Sequence, residues 1–201
     1  MDKSYIRFLN ADCLGREITF FVDGKAVVNN LPFGQFTPYS DISGTKKFSV
    51  SCLGCKDGES GSISLNFDNG AVYTVAALCM DNDISLYGIR ENTGGGQENT
   101  GNIRVCNLSP DISNADVYAN KYKILGDVDY LGISRYICMI PETYDFSVKE
   151  GNKEKVILNC GYQRVQKGKF NTLYLVGRVN ANPNIRCIFS VDAKSYGNSP
   201  L

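Results

Sequence analysis

A long internal repeat constrains this chain more than any single motif in it. Ile6-Arg7-Phe8-Leu9-Asn10 returns as Ile103-Arg104-Val105-Cys106-Asn107, an offset of 97 that also carries Tyr39 onto Tyr136. At an offset of 98, Phe48-Ser49-Val50 meets Phe146-Ser147-Val148 and Gly70 meets Gly168. Solenoid units run about 20 to 50 residues, so a repeat of this length is a whole domain. The 201 residues are therefore read as two copies of one small fold. The first copy is placed at 1–90, a linker at 91–101 and the second copy at 102–201. The linker, Glu91 to Gly101, has the Gly, Asn and Thr content of a flexible connection. It lacks the lysine and following helix of a phosphate-binding glycine loop.

Period-two alternation runs through both copies. Ile18, Phe20 and Val22 alternate with Thr19, Phe21 and Asp23, and Ile63, Leu65 and Phe67 with Ser62, Ser64 and Asn66. Val72 to Met80 and Thr172 to Val176 are almost wholly apolar, as strands covered on both faces are. Turn signals such as Asp23-Gly24, Ser43-Gly44, Asp68-Asn69-Gly70 and Lys167-Gly168 separate the runs. Asp81-Asn82-Asp83 lacks the glycine and distal glutamate of a calcium loop and reads as a hairpin turn. Seven short strands are expected in each copy. They lie near 4–10, 17–23, 34–40, 46–53, 61–67, 71–80 and 83–89, then near 102–107, 115–119, 131–138, 144–149, 155–166, 170–178 and 184–191. The expected class is all-β: two tandem antiparallel β-sandwich domains of immunoglobulin or prealbumin type.

Composition excludes several function classes. The chain has no His, which removes serine-triad and cysteine–histidine chemistry and the commonest zinc ligand. It has no Trp, so any sugar-stacking platform falls to its 12 Tyr. Lys plus Arg equals Asp plus Glu at 21 each, which leaves no basic footprint for nucleic acid or an anionic membrane. The longest apolar run, Val75 to Met80, is strand-sized, so no membrane span is expected. Met1 to Ile6 carries no signal-peptide pattern. Synthesis in the cytoplasm, with later deposition on a spore or the cell envelope, is the expectation for location.

Eight cysteines, four per copy, suggest an inherited disulfide framework, but no cysteine aligns with a cysteine between the copies. Cys52 shares the strand face of Phe48 and Val50, Cys79 that of Val75 and Ala77, and Cys160 that of Val156 and Leu158. The expected role is that of small buried hydrophobes in a reducing compartment. Cys52-Leu53-Gly54-Cys55 follows a strand and enters the loop Lys56 to Gly61. It therefore lacks the strand-to-helix setting that lowers a thioredoxin-type thiol pKa, and a second such pair for a zinc ribbon. A local disulfide across the turn is the alternative in an oxidising setting.

Ile103-Arg104-Val105-Cys106-Asn107-Leu108-Ser109-Pro110-Asp111, followed by Ala115-Asp116-Val117-Tyr118-Ala119-Asn120, resembles the opening of the DUF4397 family of bacterial β-sandwich domains. The first copy resembles its later part, through Ile18 to Lys25, Leu31-Pro32-Phe33-Gly34 with Tyr39, Gly44-Thr45 before Phe48, and Gly70 to Val75. The family's turn is replaced by Ala11-Asp12-Cys13 in the first copy, and its histidine by Asn10 and Asn107. The resemblance implies tandem sandwiches and a cell-envelope setting, and no assigned activity. Asp111 is read as a turn residue capping backbone N–H groups, and Asn10 and Asn107 as backbone-bonding residues at strand ends.

The expected function is a non-catalytic structural or binding module of a bacterial envelope, surface or spore layer, with a protein or glycan partner. A carbohydrate-binding module predicts exposed Tyr on one sheet face. A soluble scaffold predicts eight free thiols. A carboxylate-only glycan hydrolase needs two acids converging at about 5 to 9.5 Å, and the matched positions Asp12 and Asp111 are read as turn residues, which counts against it. No catalytic, cofactor-binding or metal-ligating residue is nominated.

Overall fold

The computed structural model describes residues 3–52, 55, 60–68, 70–91, 96–151 and 153–196. The chain divides into two compact units, with the boundary between Asn92 and Thr93. In the first unit the strands are β1 (Ser4–Asn10), β2 (Ile18–Val22), β3 (Lys25–Leu31), β4 (Ser40–Ile42), β5 (Gly44–Cys52), β6 (Ser60–Phe67), β7 (Val72–Met80) and β8 (Asp83–Arg90). The second repeats them as β9 (Gly101–Asn107), β10 (Asn114–Ala119), β11 (Tyr122–Asp129), β12 (Ile137–Met139), β13 (Thr143–Glu150), β14 (Val156–Arg164), β15 (Phe170–Val176) and β16 (Arg186–Val191). A short 3₁₀ turn, Ala193–Tyr196, follows. Among the described residues there is no α-helix, and none long and apolar enough to cross a membrane.

Each unit is a sandwich of two four-stranded sheets, ordered β4-β1-β7-β8 and β3-β2-β5-β6, then β12-β9-β15-β16 and β11-β10-β13-β14. The all-β tandem-sandwich expectation holds. Within it one pair per unit is parallel, β1 with β7 and β9 with β15, while every other strand pair is antiparallel. The expectation of seven strands becomes eight. The missing ones, β3 and β11, are edge strands, the first mostly exposed and the second half-exposed, so they lack a clear apolar alternation to read. Conversely, 34–40 and 131–138 contribute only isolated bridges, Leu9 to Phe36 and Cys106 to Ile133, before the three-residue β4 and β12. Pro32 precedes the first of these segments and Pro38 lies within it, and neither can donate to a ladder, while Leu131 in the second sits at a positive φ of 62°. Asp81 and Asn82, at φ of 50° and 67°, form the β7–β8 hairpin turn expected of them.

The inward faces build one core per unit. Ile6, Phe8, Phe20, Phe48 and Phe67 dominate the first, with the Phe8 and Phe20 rings 4.8 Å apart. Ile103, Val105, Val117, Phe146 and Leu173 dominate the second. Strands β1, β9 and β15 are buried along their whole length, and the other face of β1, which carries Tyr5, Arg7 and Leu9, holds a buried polar cluster. Arg7 donates from Nε to Thr74 Oγ1 at 2.8 Å and its Nη2 lies 3.1 Å from Glu91 Oε1. Tyr39 donates its hydroxyl to Glu91 Oε2 at 2.5 Å, and its ring lies under the guanidinium at 4.7 Å. Thr74 donates to Glu91. The second unit repeats the set. Arg104 Nε reaches Thr172 Oγ1 at 2.8 Å, Thr172 and the Tyr136 hydroxyl donate to Asp192 Oδ2 at 2.6 and 2.5 Å, and Tyr136 lies 4.8 Å from the guanidinium. Glu91, which composition assigns to the linker, is thus fully buried in the first unit, and Gly101 begins β9. Residues 92–95 of that linker lie outside the described residues.

The cysteines depart from the expectation of eight core thiols. Cys52 is bonded to Cys55 and Cys160 to Cys187. The second bond joins β14 to β16, and hence one sheet of the second unit to the other. Its Cα–Cα distance of 5.4 Å lies within the ordinary disulfide range. The reducing-compartment reading overlooked this because strand phase places Cys160 toward its neighbour sheet without showing what faces it. Cys13 and Cys106 do behave as buried hydrophobes, and burial pushes the Cys106 thiol up to about 12.

Two outcomes are expected from unfolding the full chain in urea. Asp192→Ala strands the buried Arg104 charge and lowers stability by about 3 to 5 kcal/mol. Cys187→Ser opens the loop that the inter-sheet bond closes and costs about 3 kcal/mol. Native-state alkylation at pH 8 labels exposed Cys138 quickly and leaves Cys106 intact.

Candidate ligand-binding cleft on the second unit

The outward face of the β11-β10-β13-β14 sheet carries an open cleft of about 430 Å³. Period two decides its lining. In β10, Ala115, Val117 and Ala119 enter the core, which turns Asp116 and Tyr118 outward. In β13, Phe146 and Val148 enter, which turns Asp145, Ser147 and Lys149 outward. Strand β14 would break the pattern, since Asn159 and Tyr162 are three residues apart and both line the cleft. The ladder slips by one residue between Phe146 and Ser147, opposite Cys160, and Gly161 takes a φ of 68°. This bulge brings both side chains to the same face. Tyr118, Ser147 and Asn159 then lie side by side across three strands, with Asp145 opposite Tyr162 in the next row.

Polar groups at the cleft are held in place. Asn120 accepts the Asp145 backbone N–H through Oδ1 at 2.9 Å. Lys149 Nζ lies 4.7 Å from the centre of the Tyr118 ring. Just outside, Asp116 takes Lys123 Nζ at 2.7 Å and the Asp127 N–H at 3.2 Å, and the first of these bonds raises the Lys123 ammonium above its ordinary range. Tyr162 is 75% exposed, so its ring is open to a ligand.

The same place in the first unit is different. Register puts Phe21, Ser49 and Ser62 where the second unit has Tyr118, Ser147 and Asn159, and Lys47 opposite Ser64 where it has Asp145 opposite Tyr162. The depression there is about 150 Å³, lined by Lys47, three serines and Gly61. The hairpin turns differ as well. Asp23-Gly24 in the first unit, at φ of 49° and 75°, corresponds to Asn120-Lys121 in the second, at 46° and 76°. A lysine in the left-handed region costs about 1 to 2 kcal/mol that a glycine does not. That cost falls on the residue at the cleft rim.

The residues singled out from sequence lie elsewhere. Asn10 Nδ2 donates to the Arg16 and Leu31 carbonyls and Asn107 Nδ2 to those of Ile112 and Val128, which is the backbone-bonding role expected of both. Asp111 accepts the Val179 N–H at 2.9 Å and two bonds from Arg178, so its cap reaches across the unit rather than along its own turn. Asp12 is not its counterpart. Asp12 and Ser109 share the equivalent place, each giving its N–H to the preceding asparagine's Oδ1. Asp12 is fully buried and bidentate on Arg16. The cleft itself was not foreseen. Its one signal was the tyrosine in Val117-Tyr118-Ala119, since the bulge that brings in Tyr162 has no signature beyond Gly161. Among the described residues, no group of three or more His, Cys, Asp or Glu could hold a metal ion.

The family model for a domain of unknown function, DUF4397, matches residues 4–114 and 101–198. The chain belongs to the DUF4397 family. Two matched regions, one over each unit, agree with the tandem arrangement. Comparison with curated proteins finds no match.

Replacing Lys121 by glycine removes the rim strain, and is expected to stabilise the chain by about 1 kcal/mol in thermal unfolding. The opposite result would mean that Lys121 makes contacts worth more than the strain it bears.

Proposed function

We propose that this DUF4397 protein is a non-catalytic binding module and that the cleft of its second unit holds a glycan chain. The observation that carries this reading is the pair of aromatic faces, Tyr118 and Tyr162, set among Asn159, Ser147, Asp145 and Lys149 on one sheet surface. A sugar ring offers an apolar face of C–H groups and an edge of hydroxyls. Flat aromatic rings and short fixed donors and acceptors complement both. The acceptor Asn120 and the strained Lys121 stand at the entrance, and strain retained at a surface turn is a mark of sites under functional selection. The first unit, with serines in the same row, serves as the supporting copy.

The setting that we propose is the cell envelope or a spore layer, where glycan polymers line the surface. Two disulfides support it, because such bonds persist in oxidising compartments. The buried arginine clusters do not compete as an active site: Arg7, Glu91, Arg104 and Asp192 are each 4% exposed or less, and the same bonds recur in both units.

Retention on immobilised polysaccharides, including peptidoglycan, chitin and β-glucan, tests the proposal. Tyr118→Ala and Tyr162→Ala should each weaken binding about tenfold, given about 1 to 1.5 kcal/mol for an aromatic face. Tyr122→Ala, exposed beyond the cleft, should not. Absence of retention on every polymer, or equal loss in all three variants, would sink the glycan reading. Release of shortened products from the bound polymer would overturn the non-catalytic one.

A further inference from the structure

At the opposite end of the chain, all four cysteines of the first unit gather around one arginine. Arg16 lies in the β1–β2 connection, and its guanidinium is held by three partners. Nε and Nη2 bind the buried Asp12 carboxylate at 2.8 and 2.7 Å. Nη1 donates to the Asn82 carbonyl at 3.0 Å, in the β7–β8 turn, and lies 3.8 Å from Cys55 Sγ. Cys55 is bonded to Cys52 at the end of β5. Cys13 and Cys79 lie near enough for their charge to raise the Arg16 pKa further, behind the larger effect of Asp12. None of the four has a cysteine counterpart in the second unit.

A Cys-x-x-Cys pair needs something to stabilise one sulfur as thiolate, and in helical settings the helix N-terminus does so. The next described element after Cys55 is the strand β6, and Arg16 stands in the role of the helix. Asp12 cancels most of its long-range field. What Cys55 receives is a directed hydrogen bond from a guanidinium that Asp12 and Asn82 prevent from swinging away. A disulfide sulfur accepts such a bond weakly and a thiolate strongly, so the contact favours the reduced form of Cys55.

We propose that Cys52–Cys55 is a thiol–disulfide exchange site and that Arg16 is its positioning residue. An incoming thiolate attacks Cys52 Sγ and forms a mixed disulfide there. The Cys52–Cys55 bond breaks, and its electron pair leaves on Cys55 as the thiolate beside Arg16. A second thiolate attacks the outer sulfur of the mixed disulfide, releasing the oxidised thiol pair as its own disulfide and Cys52 as thiolate. The two thiols lose two electrons and the protein disulfide gains them. The reverse sequence, with a small disulfide as oxidant, restores the bond. The Cys160–Cys187 bond joins two sheets and is the internal comparison.

The experiment uses the full chain and glutathione. The oxidised protein is mixed with reduced glutathione, quenched in acid at short times and mapped by mass spectrometry. The mixed disulfide is expected on Cys52, with Cys55 free, at least tenfold ahead of any opening of Cys160–Cys187. In the fully reduced chain, Cys55 should react with iodoacetamide about tenfold faster than Cys52, and that ratio should fall toward one in Arg16→Gln. Arg16→Lys keeps a cation for Asp12 but has no second nitrogen for Cys55. It should stay folded and lose the ratio as well. Glutathione on Cys55, equal opening of both disulfides, or a ratio unchanged in both variants would each overturn the proposal.

Discussion

Each sandwich is organised around a buried arginine that ties together the strands of one sheet. Arg7 on β1 and Arg104 on β9 touch a threonine on the next strand, a carboxylate just after the fourth and a tyrosine just before the first. One guanidinium therefore refers to every strand of the β4-β1-β7-β8 or β12-β9-β15-β16 sheet. Taking two charges out of water is expensive, and an ion pair of this kind adds little net stability over an apolar substitute. What it does impose is register. Arg7 and the core residues Ile6 and Phe8 alternate along β1, so a slip of one residue would drive the guanidinium into the phenylalanine cluster. The arrangement tolerates glutamate in one unit and aspartate in the other, because the carboxylate follows the last strand on a segment that can adjust its reach.

With the sheet on the arginine side fixed in this way, the other sheet is where the two units differ. Its inner residues are constrained by the core and its outer ones are not. Phe21, Ser49, Ser62 and Ser64 in the first unit against Tyr118, Ser147, Asn159 and Tyr162 in the second show one surface with a single aromatic ring and its duplicate with two. The cysteines diverge in the opposite sense. The first unit concentrates its four around Arg16, and the second spends two of its own on joining its sheets.

How far the sequence could be read follows from where the information lay. The repeat of Ile-Arg at 97 positions and the apolar run at Val72 were strong because burial on both faces leaves few acceptable residues. Strands β3 and β11 were invisible because an exposed edge accepts almost anything. Arg7 and Tyr39 each recur at the same offset, which marked both positions without showing that they meet. Glu91 was hidden by the glycine-rich stretch beside it, since composition averages over residues and burial does not. Tyr162 depended on a one-residue bulge, a feature that no periodicity reports. The disulfide of Cys160 required knowing that β14 runs beside β16, which is topology and not pattern.

The parallel pairing of β1 with β7 carries a consequence for how the chain is made. Residues Tyr5 and Ile6 hydrogen-bond into a ladder with Val72 and Tyr73, and the carboxylate that meets Arg7 comes later still. Within its unit, β1 is thus an inner strand of a sheet whose remaining members all follow it off the ribosome. Until Glu91 has emerged, β1 must wait with its arginine in water and its apolar face uncovered. The hairpins of the other sheet can zip as they appear. Synthesis therefore delivers the β3-β2-β5-β6 sheet, and its β11-β10-β13-β14 counterpart, before the sheet that holds each unit closed.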